Sequence, residues 1–410
     1  MQLKMNGRKL LSCAIALWPL LEVYELFAGI SFGEALVLVS LLFCIIENPI
    51  FHVGNIKYFY LYIFGMSIIN ALFNIGVIKD GYFQSVFSYV LHAVLLLGSL
   101  NYVDLDFLVN IYKKISVIVC ALALIQYVLL LGGVSLVEII PGIPTTVGLT
   151  YSELQMNLGR MCGPFTEPAH LIQYLSVALI IALFDKKPNY KYAILLIGTS
   201  LLTRSGNSMV LIGAIVGIKI LTDLLQKNRK VFFRAFFSTV ILIIAFITIY
   251  NRSETFRLLL LRVYEITGNS RIEALGYISV SGYFRVKYGL DVFASLHLPN
   301  QIFGLGIGVF ECISDSFRYI PYSLRLVFNN ELLNYRSGFT TILIDGGIIG
   351  MLLYLKYLFG NRSKDTKMVA GVLIVMQIIS ASMNGYMWII YLLMLEFYDK
   401  KAYEKTLGES

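Results

Sequence analysis

An all-α polytopic integral membrane protein is what this sequence predicts, and three observations carry the prediction. Of 410 residues, 58% are hydrophobic and only 14% charged, with a mean hydropathy of +0.75, a balance foreign to a soluble chain of this length. About twelve apolar runs follow one another, each long enough or nearly long enough for a helix to cross the hydrocarbon layer. Short basic loops recur on alternate connections, as the positive-inside tendency requires. The short alternating segments of a membrane β-barrel are not the pattern.

Taken in order, Lys4, Arg8 and Lys9 precede the first run, 10–29, and set the N-terminus in the cytoplasm. Trp18, Pro19 and Glu22 inside that run, with no small-residue cleavage site, predict a retained span and not a removed signal. Runs 33–47 and 57–75 flank a turn containing Pro49 and Gly54, the former short for an untilted span. The run 84–100 leads through an Asp-containing loop to Lys113 and Lys114, where the span 115–134 begins. Residues 135–168, with Pro141, Pro144 and several Gly, hold too many breakers for a helix and form a smaller extracytoplasmic loop. Runs 169–184 and 191–203 enclose the basic turn of Lys186, Lys187 and Lys191, and a further span through 221 returns to Lys227, Arg229 and Lys230. The run 231–250 delivers residues 251–337 outside as one large extracytoplasmic loop. Runs 338–359, 368–382 and 384–397 complete about twelve spans with both termini cytoplasmic. No internal duplication and no Pro/Gly/Ser-rich linker marks a second domain, so residues 1–410 are expected to form a single membrane-embedded one.

Charge narrows the function. The net charge is +8, with no Lys-rich tail and no zinc-ligand spacing, so nucleic acid is not an expected partner. Residues 251–337 hold 8 of the 14 Arg but only one Lys, Lys287, together with seven acids. Guanidinium groups suit a multiply charged oxyanion better than mobile ammonium groups do. The five Cys (13, 44, 120, 162 and 312) show no short repeated spacing; three lie in expected spans, and Cys162 and Cys312 fall in external loops where pairing is the alternative to free thiols. His52, His92, His170 and His297 are too scattered for a metal motif, and no paired carboxylates stand out for a divalent ion.

Four constellations combine charge with helix-end chemistry. In the first, residues 160–170, Pro168 starts a helix whose free N–H groups point outward, and Arg160 adds a charge-assisted donor for phosphate. Glu167 there either orients a sugar hydroxyl or pairs with an Arg, and a plain cap with an interfacial ion pair is the bland alternative. In the second, Arg204 to Ser208, Gly206 is expected to permit a tight reversal and Ser205 to cap the returning helix. Arg204 at such a reversal either neutralises a diphosphate above the membrane or reaches a lipid headgroup. The third is the Arg-rich stretch itself: Arg252, Arg257 and Arg262 recur every five positions, off any single helix face, and Arg271 lies two before Glu273. The fourth runs from Asn329, Asn330 and Glu331 through Arg336 to Asp345, Gly346 and Gly347; Asp345 at membrane depth needs a partner or a proton, or acts directly.

The texts RMCGPFTEPAHLIQYL at 160–175, LTRSGNS at 202–208, NSRIEAL at 269–275, NQIFGLGIGVF at 300–310 and SGFTTILIDGGIIG at 337–350 resemble, in this order, the bacterial O-antigen or capsule polymerase family, which is related to O-antigen ligases. The likeness covers about residues 150–360. It implies a GT-C-like polymerase/ligase architecture and a glycosyltransferase of the bacterial cytoplasmic (inner) membrane working on its outer side. Donor and acceptor would be undecaprenyl-diphosphate-linked glycans among membrane lipids, with a chain-length regulator as a further partner and no cofactor or metal. A hydroxyl of the acceptor would attack the donor's anomeric carbon as lipid diphosphate leaves. On this reading Arg204 and Arg271 stabilise the leaving diphosphate, with Arg160 and Arg257 behind them, and Glu273 or Glu331 polarises the attacking hydroxyl. Glu167 and His297 are the alternatives for that proton, and Arg262, Arg336 and His170 complete the expected substrate contacts. Related ligases often carry a His before their last conserved span; here Asn329, Asn330 and Glu331 stand there, which favours polymerase over ligase. A polysaccharide flippase is the nonenzymatic rival, but it would concentrate charge along a central path. Here 10 of 14 Arg, counting Arg160 and Arg204, fall on one external side by the span count.

Overall fold

Apolar runs become helices between their breakers. The computed structural model describes residues 6–27, 30–49, 54–76, 78, 81–134, 159–185, 187–224, 251, 288–313, 336–379, 383 and 385–408, and 81% of these are helical. In order come α1 (Gly7–Leu21), β1 (Glu25–Phe27), β2 (Ile30–Ser31), α2 (Phe32–Glu47), α3 (Lys57–Phe73), α4 (Gly81–Tyr102) and α5 (Leu105–Leu131). They are followed by α6 (Pro168–Phe184), α7 (Tyr190–Leu202), α8 (Gly206–Leu224), α9 (Gly289–Ser295), α10 (Leu298–Phe303), α11 (Val309–Ile313), α12 (Gly338–Phe359), α13 (Lys364–Ile379) and α14 (Tyr386–Gly408). Among the described residues, α4, α5, α8 and α12 are long and apolar enough to cross a membrane, and α3, α6 and α7 are shorter apolar helices. The coarse expectation of a helical, membrane-embedded protein stands on these; the run 231–250 and residues 135–158, 252–287 and 314–335 lie outside the described residues.

Two expectations are corrected. The first run is not one helix over 10–29: α1 stops at Leu21, and the chain turns into the short antiparallel pair β1–β2, a small exception to an all-α fold. The cause is Glu22. Its Oε2 accepts from Trp18 Nε1 at 2.7 Å and from Ser31 Oγ at 2.6 Å, so one acid ties the helix end to the far strand. Ser31 and Glu34 then start α2 by a reciprocal cap, Glu34 N donating to Ser31 Oγ and Ser31 N to Glu34 Oε2. Burial pushes the Glu22 carboxyl up to about 7, against the two hydrogen bonds that favour its charged form. The second correction concerns Lys113 and Lys114, which lie within α5 and not in a loop, since nothing in 105–131 breaks a helix. Lys113 pairs with Asp185 at 3.3 Å.

The chain forms two compact units: Met1–Leu11, Leu38–Asp104 and Glu265–Ser410 in one, Ser12–Val37 and Leu105–Tyr264 in the other. The second is built round α6, buried on nearly every side and flanked by α5, α7 and α8. An all-round apolar helix has to be enclosed by others or by lipid. Tyr112 stacks on Tyr174 with centroids 4.4 Å apart and donates to its carbonyl.

In the first unit α12 is broken at Gly347 (φ 64, ψ −168). The break leaves the carbonyls of Ile344 and Asp345 without their helical donors, and the N–H groups of Leu305 and Gly306 take them, both at 2.8 Å. The α10–α11 connection is held from its other side by α3: Ile307 N donates to Ser67 Oγ at 2.7 Å, Asn70 Nδ2 to Gly304 O, and Tyr62 OH to Phe303 O. Irregular backbone among apolar helices persists only where protein supplies such partners. Gly304 and Gly347 make the approach possible: a Cβ on Gly347 would stand 2.5 Å from Gly304 N, and one on Gly304 would strike the Asp345 carbonyl. The pair at 346–347 thus serves a break and a close backbone approach.

Candidate functional site: two arginine turns at helix ends

In the second unit the turn before α6 is shaped from beneath by α5. Gln126, 3% exposed, accepts at one oxygen from Cys162 N (2.9 Å) and Gly163 N (2.8 Å). Gly163 has φ +59 and leaves room for Ala123 and Leu171, to which a Cβ would come within 3.4–3.5 Å. Glu167 is the residue before α6, its carbonyl accepting from His170 N and Leu171 N and its half-buried carboxylate making no cap. Pro168 occupies the first turn, as expected. His170 Nδ1 lies 3.4 Å from Thr166 Oγ1. Burial pushes the Cys162 thiol up to about 12, while the charge of Arg160 pulls it down and that of Glu167 pushes it further up. Cys162 therefore lies within electrostatic reach of both charges and is itself an unreactive thiol.

Arg204 stands where α7 turns into α8, and its φ of +52 is the one positive value among non-glycine described residues. That conformation costs about 1–2 kcal/mol in a side-chain-bearing residue. The reversal differs from expectation in detail: Arg204 and not Gly206 takes the left-handed position, and the carbonyl of Ser205, not its hydroxyl, accepts from Ser208 N. Thr203 Oγ1 locks the turn, donating to Ser200 O at 2.7 Å and accepting from Ser205 N at 3.3 Å. The exposed Arg204 side chain reaches the turn of the first constellation, where a Cβ on Gly159 would lie 3.0 Å from Nη1. Two stretches more than 40 residues apart are thereby brought together, Arg204 against the residue next to Arg160.

The first unit treats Arg336 differently. Its Nη1 lies 3.0 Å from Asp345 Oδ1, the side chains 3% and 0% exposed, and its Cζ sits 4.2 Å from the Phe310 ring centroid. Asp345 has the partner that its depth in an apolar helix demanded. His297 is exposed at the residue before α10, and no contact joins it to this pair. Arg257, Arg262, Arg271, Glu273 and Glu331 lie outside the described residues. None of the five cysteines is joined in a disulfide. Among the described residues no group of His, Cys, Asp or Glu is arranged to hold a metal ion.

Sequence reasoning passed over Gln126, Gly159 and Phe310. Gln126 did leave a signal, an amide near the end of a 27-residue apolar helix, where a polar group needs a partner. Chemically, the second unit offers an exposed guanidinium, a second one half-buried in the adjoining turn, the start of a 17-residue helix, and a carboxylate on the residue just before that helix. Such a set suits an anion carried beside a hydroxylic group. Comparison with known proteins finds no matching family model, no matching curated protein and no matching solved structure. What fold and site together define is a helical membrane protein with a basic, helix-terminal surface.

Proposed function

We propose that this chain is a membrane glycosyltransferase that polymerises undecaprenyl-diphosphate-linked oligosaccharide repeat units outside the cytoplasmic membrane and releases undecaprenyl diphosphate. The observation that carries the reading is the approach of Arg204, held in a costly backbone conformation, to the turn that bears Arg160. Strain retained at an exposed Arg, where glycine would fit the turn without it, supports a task for the guanidinium.

In the reaction the acceptor's hydroxyl oxygen forms a bond to the donor's anomeric carbon while the bond from that carbon to the diphosphate oxygen breaks. The electron pair leaves with the diphosphate, where Arg204 and Arg160 meet growing negative charge and lower the barrier by binding it more tightly than the ground state. The hydroxyl proton passes to a carboxylate, for which Glu167 is the described candidate and Glu273 and Glu331 the others.

The test is purified protein in nanodiscs given lipid-linked repeat units without ATP. Products longer by whole repeats, with undecaprenyl diphosphate released, are expected; Arg204→Gln and Arg160→Gln should insert normally and lose at least tenfold in turnover. Transfer only to a lipid A-core acceptor would make the chain a ligase. A second reading, a lipid-linked glycan flippase, is favoured by the break of α12 at Gly347 beside the buried Arg336–Asp345 pair, since discontinuous helices with intramembrane charge recur in transporters. Translocation without a new glycosidic bond would establish it.

A further inference from the structure

Resting on the reading of Arg160 as a diphosphate ligand, we propose that Gln126 is a positioning residue for that ligand, setting through the 160–163 turn the direction in which the Arg160 side chain leaves the backbone. Three observations support this. Gln126 is almost wholly buried in α5, yet its carboxamide oxygen takes two consecutive backbone N–H groups, those of Cys162 and Gly163. Consecutive N–H groups pointing one way form a concavity that binds anions when open; here a side-chain oxygen fills it, so those amides serve the turn and not the substrate. Second, Ala123 lies one helical turn before Gln126 on the same face of α5, and its small side chain admits Gly163 at φ +59, so α5 presents one complementary surface to the turn. Third, the residue before Arg160 is Gly159 at φ +68, a position where an added Cβ would stand 3.0 Å from Arg204 Nη1, so the turn bearing Arg160 lies beside the other guanidinium. The backbone beyond Arg160 is therefore pinned by Gln126, at the residues two and three positions on. Losing the Gln126 oxygen releases that pin, and Arg160 then loses the geometry of a charge-assisted bond to phosphate.

The experiment uses the full chain in nanodiscs with undecaprenyl diphosphate as the probe. Gln126→Met keeps length and removes the acceptor; Gln126→Glu keeps it. Gln126→Met should bind about tenfold more weakly, the loss of one charge-assisted hydrogen bond, and Gln126→Glu should bind within about twofold of the wild type. In an Arg160→Gln background Gln126→Met should cost nothing further, because the effect passes through Arg160. A parallel readout free of ligand is maleimide labelling of Cys162 in a variant whose other four cysteines are replaced. Labelling should be slow with Gln126 or Glu and at least tenfold faster with Met, because the freed turn exposes the thiol. Fully additive losses of Gln126→Met and Arg160→Gln, or equal loss in the Glu and Met variants, would overturn the proposal and leave Gln126 a packing residue. If wild-type protein bound no undecaprenyl diphosphate, the functional reading would fall and this role with it, and a Met-specific rise in Cys162 labelling would then mark Gln126 as a structural clamp alone.

Discussion

Three glycines of α12, Gly346, Gly347 and Gly350, look alike in the sequence and differ sharply in what a methyl group would meet, so alanine at each in turn tests the docking of 303–307 on the broken helix. At Gly347 the backbone (φ 64, ψ −168) belongs to a region nearly exclusive to glycine, where alanine costs about 1–3 kcal/mol. Its Cβ would also lie 2.5 Å from both Gly304 N and Ile302 O, atoms of a backbone fixed by five hydrogen bonds over 303–307 and unable to yield cheaply. Overpacking of that kind adds about 1–3 kcal/mol, for a total of roughly 2–6 kcal/mol. At Gly346 and Gly350 the nearest atoms are Ile63 Cδ1 at 3.5 Å and Tyr62 Cε1 at 3.4 Å, ordinary contacts. There alanine gains up to about 1 kcal/mol of helix propensity. A thiol-reactive dye melt in detergent reads the outcome through buried Cys312 of the same unit. At roughly 2–4 °C per kcal/mol for a unit of this size, Gly347→Ala should melt about 10 °C lower and the other two within a few degrees of the parent. Equal melting of all three variants would refute the geometry.

The Arg336–Asp345 pair predicts that Asp345→Asn costs about 3–5 kcal/mol in the same melt, while Arg336→Met with Asp345→Leu together costs less than Asp345→Asn alone; the reverse order would deny the pair its burial. Arg204→Gly relieves the left-handed strain, so its melting temperature should rise by the equivalent of about 1 kcal/mol while polymerisation is lost; a fall in melting temperature would contradict the strain. Folding raises the Glu22 carboxyl from 4.5 to about 7, so the native state prefers the protonated acid. Stability from Glu22 is therefore fully present below about pH 4.5 and declines as pH rises through 7, by on the order of 2–3 kcal/mol. Glu22→Gln should flatten melting temperature over that range, and an unaltered pH profile would show the acid to be solvated.

Much of the helical layout was legible because it depends on local rules. Hydropathy and Pro168 at a helix start mark runs and their ends within a few residues. The hairpin after α1 and the break in α12 fall where a distant partner outvotes local pattern. Nothing near Glu22 announces that Ser31 will accept the role of its donor and fold the chain back as a hairpin. Nothing near Gly347 announces that Leu305 and Gly306 will supply the amides that let a helix break.

The candidate site divides in the same way. Arg160, Glu167 and Arg204 stood out by sequence alone, because charge beside an apolar run costs free energy and invites a reason. Composition and the order of apolar runs likewise determined a helical membrane protein, since the alternation of oily and basic segments is a one-dimensional property of the chain. Tertiary structure decided which arginines meet. It brought Arg204 to the Arg160 turn, committed Arg336 to Asp345, and gave Gln126 its two amides, because hydrogen bonds and ion pairs depend on separations of about 3 Å that only the folded backbone sets.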